Sequence, residues 1–210
     1  TFNMSSGEIS GNSASANGGG IYIKNSNAEI TISNSIVTGN VNGGIYSNCK
    51  KQTLTNVEIS ETKGNQPALF LDKLSESIVN NCKVINNDVT GKAAIHSIIY
   101  RKNAYQFNDC CISGNRAQSA GAMYFQCNTS LELIPVTLTN TIIKDNQSAG
   151  ETGGIYFNVH SALSVSYESG ALYNNRNGSG DPSDLFGKQL WIEDNSKLKL
   201  LELSDMFDPD

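Results

Sequence analysis

Two histidines, five cysteines and twenty carboxylates are the side chains of this 210-residue chain with the most chemical range. A nucleophilic triad needs a histidine within reach of a hydroxyl or thiol, and an acid to orient it. His160 stands beside Ser161 with no Asp at a telling spacing. His96 closes the unit Ala94-Ile95-His96. Its counterparts read Gly20-Ile21-Tyr22, Gly44-Ile45-Tyr46, Ala68-Leu69-Phe70, Ala122-Met123-Tyr124 and Gly154-Ile155-Tyr156, with Gln189-Leu190-Trp191 as a worn seventh copy. A flat ring thus replaces a flat ring, and scaffold is the expected role. Glycoside hydrolysis needs two carboxylates across the scissile bond, and a calcium cage needs several oxygen ligands. In a repeating chain these groups would recur at repeat spacing. Asp181 and Asp184 lie instead in a Gly/Pro segment, and Glu193-Asp194 follow Trp191. Arg101, Arg116 and Arg176 fall at different repeat positions. Gly18-Gly19-Gly20 precedes a strand and not a helix, so it fails the context of a phosphate loop. The reading is no catalytic residue, no metal site and no cofactor.

The elements that would position any site follow from composition. Asn (26), Ser (25), Gly (19) and Thr (12) dominate, and all four favour turns and strand edges over helices. The net charge of −5, without a basic cluster, argues against a nucleic-acid partner. No apolar run approaches the roughly 18 residues of a membrane-spanning helix, so no transmembrane segment is expected.

Two anchors recur in fixed order. One is the small-aliphatic-ring unit above. The other is an Asn that closes an aliphatic strand: Ile9-Ser-Gly-Asn12, Val37-Thr-Gly-Asn40, Lys63-Gly-Asn65, Val84-Ile-Asn-Asn87, Ile112-Ser-Gly-Asn115, Ile143-Lys-Asp-Asn146 and Leu172-Tyr-Asn-Asn175. Between them, Phe2-x-Met4, Ile30-x-Ile32, Val136-x-Leu138 and Val165-x-Tyr167 alternate with a period of two. Such a unit cannot bury its apolar face alone, so successive copies must stack. The predicted fold is all-β: a right-handed parallel β-helix, or solenoid, of about seven to eight rungs with three short strands each. Residues 1–210 form a single domain in this reading, expected to be a fragment of a longer protein, with 201–210 as a partial cap or tail. Ile9, Val37, Ile59, Val84, Ile112, Ile143 and Leu172 should make one inward column, and the Asn residues a ladder at a turn. The small residue before each aliphatic should permit a tight bend or a positive φ.

The Gly-Gly-Ile-Tyr and Ile-Ser-Gly-Asn units resemble the repeats of surface-exposed right-handed β-helix proteins, including autotransporter passengers and polymorphic outer-membrane proteins. The fold is also similar to that of the pectin-lyase-like polysaccharide enzymes. The resemblance implies a non-catalytic segment of a cell-surface or secreted protein, serving display or adhesion, with a glycan or a surface protein as partner. The alternative is a fragment of a carbohydrate-active enzyme of pectate-lyase or polygalacturonase type.

Strand alternation turns the ring of each unit outward. Tyr22, Tyr46, Phe70, His96, Tyr124, Tyr156 and Trp191 should therefore form one outer ladder, an uncovered strip suited to a sugar face or a protein. Cys82 and Cys110 fall in one inward column as a thiol stack rather than a disulfide. Cys111 should point outward, and Cys49 and Cys127 share a column three rungs apart. The N-terminal face, beginning at Phe2, is expected to self-associate or fray.

Overall fold

The computed structural model describes residues 1–99, 104–127, 134–159, 163–178, 190–192 and 198–201, and contains no helix among them. Every strand pair is parallel, and each partner lies one repeat further along the chain. The strands Ile21–Thr38 and Ile45–Ser60 bend around three faces. In the next rung the same path divides into Leu69–Asp72, Glu76–Asn80 and Lys83–Ile85. These segments define faces one, two and three of a parallel coil. A fourth, narrow sheet joins Lys63–Gly64, Asp88–Val89, Arg116–Ala117 and Gln147–Ser148. The sequence reading held three strands per rung. This fourth strand has two residues per rung, too few for an alternation to show.

The core fills the inside of the coil. On face three, Ile9, Val37, Ile59, Val84, Ile112, Ile143 and Leu172 stand in direct register, as expected. Face two adds Ile32, Leu54, Val79, Phe107 and Leu138, and face one adds Ile21, Ile45, Leu69, Ile95, Met123 and Ile155. Each of those that is fully buried contributes about 1.5–3 kcal/mol before the entropy of ordering it is subtracted; Ile9, at the first rung, is only partly buried.

The corners are held by three ladders. At the first, between faces two and three, Asn34, Asn56, Asn81, Asp109, Asn140 and Ser169 all have φ between 47° and 58°. Asn and Asp tolerate this left-handed region best among residues with a side chain. Just beyond them, Ser35, Cys82, Cys110 and Thr141 each donate to the carbonyl two residues back, at 2.7, 3.2, 3.2 and 3.2 Å. The thiols thus take the place of hydroxyls, and all five cysteines are unbonded.

The third ladder is the buried Asn column at the end of face three. Asn40, Asn87, Asn115, Asn146 and Asn175 donate to the carbonyls of Ile9, Ile59, Val84, Ile112 and Ile143 in the rung before. Asn87, Asn115 and Asn146 also donate to the next Asn Oδ1, at 2.8, 2.8 and 2.9 Å. One expected member is corrected. Register places Val37 beside Ile59 and Ile59 beside Val84, so Thr62 and not Asn65 occupies the third rung. Asn65 lies exposed in the following segment. The glycine expectation also changes. Gly20 and Gly44 do not have positive φ; Gly18 and Gly43, one or two residues earlier, do. Gly20 must be small because a Cβ there would lie 2.6 Å from the Gly44 carbonyl oxygen.

Candidate functional site

Face one carries two outward columns. The first is the ring column. Ring centroids are 4.7 Å apart for Tyr22–Tyr46, 5.1 Å for Tyr46–Phe70, 4.8 Å for Phe70–His96, 5.1 Å for His96–Tyr124 and 4.8 Å for Tyr124–Tyr156. Stacked and edge-on contacts alternate along part of the column, and each is worth about 0.5–1.5 kcal/mol beyond area burial. By backbone register Trp191 pairs with Tyr156 and continues the column; its side chain lies outside the described residues.

The rings face away from the core as alternation requires, yet most are not an open strip. Tyr22 is 47% exposed and Phe70 is half-buried, while Tyr46, His96, Tyr124 and Tyr156 retain only 7%, 7%, 2% and 6%. The expectation of an uncovered ladder is therefore corrected for these four. The connections entering face one cover Tyr124 and Tyr156. Ala93 and Ala120 pack with Tyr124 and Tyr156 in an apolar cluster separate from the main core. Lys92 Nζ sits 4.9 Å from the Tyr124 ring centroid, over its face. The covering residues are small and follow no hydrophobic period, so the pattern gave no warning of a lid.

The second outward column, two residues on, reads Lys24, Asn48, Asp72, Ile98 and Gln126. Asp72 was not singled out by the sequence reading. It is 8% exposed, and its Oδ2 accepts from Tyr46 Oη at 2.6 Å and Asn48 Nδ2 at 2.9 Å. Its Oδ1 is buried without a hydrogen-bond partner. This clamp raises the Tyr46 phenol well above its ordinary range, first through burial and then through the Asp72 bond and charge. His96 is pushed down to about 4, chiefly by burial, with Lys92 adding to the effect and Gln126 and Asp72 opposing it. Burial thus favours the neutral ring at neutral pH.

Three of the thiols are held protonated. Burial pushes Cys49 up to about 12, Cys82 to about 11 and Cys110 to about 12. Cys111 is half-buried on the outward side of face three, as expected. Among the described residues no three His, Cys, Asp or Glu side chains gather as a metal site, and no helix is long and apolar enough to cross a membrane. His160, Asp181, Asp184, Glu193, Asp194, Arg101 and residues 202–210 of the expected cap lie outside the described residues.

The arrangement offers stacking surface at Tyr22 and Phe70, an amide and an ammonium beside them, and a clamped carboxylate behind. A family model described as a right handed beta helix region matches residues 1–196. No curated protein and no solved structure matches the chain.

Proposed function

The chain belongs to the right-handed β-helix family, and from that premise we propose that it is a non-catalytic rod, secreted or held at a cell surface, that displays its outer faces for adhesion. Its partner in this reading is a glycan or a surface protein. The observation that carries the proposal is the uneven cover of the ring column. Tyr22 stands 47% exposed on Tyr46, and Phe70 is half-open, beside exposed Lys24 and half-buried Asn48. Aromatic faces next to fixed amide and charged groups supply the stacking and directional bonds by which sugars and protein surfaces are bound. The three corner ladders supply rigidity and leave outward positions free to vary.

The test compares Tyr22→Ser with Phe70→Ser, singly and together, on glycan arrays and host-cell surfaces. The double variant is expected to lose at least tenfold in binding while melting within a few degrees of the parent. Tyr46→Ser, which removes the Asp72 clamp, should instead cost about 2–4 kcal/mol in stability. Unchanged binding by the double variant would make the column pure scaffold. Release of reducing ends from uronate polysaccharides, with or without calcium, would replace the display reading by the enzymatic one.

A further inference from the structure

His96 is the point at which the ring column changes chemistry. Its imidazole lies flat on Phe70, with 7° between planes, and edge-on to Tyr124, at 87°. Gln126 lies beside the ring and favours its charged form, and Nε2 is buried with no hydrogen-bond partner. The charged groups facing it are few. Lys92 comes from the covering segment and Asp72 from the preceding strand, while Tyr124 and Gln126 come from the following strand. The cover itself is light. Lys92 and Ala93 lie over the column, and Ser119 N and Ala120 N both donate to the Lys92 carbonyl, at 3.1 and 2.9 Å. These segments bury no large side chain of their own; Ala94 and Ala122 anchor their ends in the main core, and Ala120 is bridged to Thr152 in the next rung, so the part free to move is the stretch around Lys92, Ala93 and Ser119.

We propose that this cover is an acid-sensitive latch: a proton taken up from solvent at His96 Nε2 releases the segments around Lys92 and Ser119 and lays bare the rings of Tyr124 and Tyr156 beside it. The exposed strip as a docking surface rests on the adhesion reading above; the latch itself does not. The closed state places an imidazolium beside an ammonium in an apolar layer, where Gln126 favours the charged ring but does not offset its burial. Stacking on two rings returns part of that cost, and Asp72 returns another part. The open state gives the imidazolium water. Because protons bind the open state more tightly, acid shifts the equilibrium toward it. With an ordinary histidine in the open state, the closed-to-open ratio falls by about twentyfold between pH 7 and pH 5.

The experiment follows anilinonaphthalene sulfonate fluorescence and far-UV circular dichroism of the whole chain from pH 7 to pH 4. Dye binding should rise while the β-sheet signal holds. His96→Phe keeps a flat ring and cannot titrate, so its rise should vanish. Lys92→Met removes the like charge and should move the midpoint to lower pH; Asp72→Asn removes the attractive charge and should move it to higher pH. An unaltered midpoint in His96→Phe would overturn the latch, as would loss of the sheet signal together with the dye response. Should His96→Phe not fold, an unmoved or raised midpoint in Lys92→Met overturns it equally. No readout uses a ligand, so the latch and the adhesion reading can fail separately.

Discussion

Asn115 makes four hydrogen bonds with one side chain. Its Nδ2 donates to Val84 O and Asn146 Oδ1, both at 2.8 Å, and its Oδ1 accepts from Asn87 N and Nδ2, at 3.1 and 2.8 Å. Asn115→Ala leaves buried partners on both sides unsatisfied and is expected to cost about 2–4 kcal/mol by denaturant unfolding. Asn115→Asp should cost more, because it exchanges the donor for a buried charge. The thiols make the opposite case. Cys82 and Cys110 serve as donors at a corner where Ser35 and Thr141 do the same work, so Cys82→Ser and Cys110→Ser should each stay within about 1 kcal/mol of the parent. Alkylation of the native protein at pH 8 should label Cys111 first, the only half-buried thiol among five free ones, and denaturation should release all five. A disulfide between Cys82 and Cys110 would leave three. His96 adds a pH dependence. Its folded value, about 4, lies below the ordinary one, so its share of stability is whole above about pH 6.5 and is lost as pH falls toward 4.

At the scale of the element, the Asn ladder shows both the reach and the limit of the sequence. Aliphatic-x-x-Asn spacing locates Asn12, Asn40, Asn87, Asn115, Asn146 and Asn175, because ladder geometry demands an amide in each rung. In the shortest repeat a threonine stands in, and the nearest Asn, three residues on, draws the eye. Thr62 N still donates to Asn87 Oδ1 at 2.9 Å, but its own hydroxyl is buried without a partner. Thr62→Asn should mend the gap by accepting from Asn40 and donating to Asn87, raising stability by about 1 kcal/mol and the melting temperature by a few degrees. The ring column was legible for a similar reason: a strand's period of two fixes which way each ring points. Its cover was not, because Ala93 and Ala120 sit in connections without a period. Asp72 was also invisible, since its column holds Lys24, Asn48, Ile98 and Gln126 and repeats no chemistry.

The whole molecule is a stack in which each rung touches mainly its two neighbours, so stability should spread as a nearest-neighbour sum. Leu138→Ala, at a fully buried position on face two, should cost about 2–5 kcal/mol. Its loss of amide protection in hydrogen exchange should centre on its own rung and the adjoining ones rather than cover the chain evenly. The stack also makes the molecule sensitive to what happens to the chain before it coils. Asn146-Gln147-Ser148 is an acceptor sequence for N-linked oligosaccharide. Folded, Asn146 is 1% exposed and its Nδ2 is committed to Ile112 O, Lys144 O and Asn175 Oδ1. Unfolded, nothing shields it. An oligosaccharide transferred there during synthesis would occupy the one atom that joins three rungs, and the chain beyond could not close onto the chain before. Ser148 is buried, its hydroxyl has no partner, and its register neighbour is Ala117. Ser148→Ala therefore removes the acceptor sequence without disturbing the ladder. In a host whose secretory pathway adds such sugars, Ser148→Ala should raise the share of the protein that leaves the cell folded, while the acceptor sequences at Asn3, Asn128 and Asn177 remain.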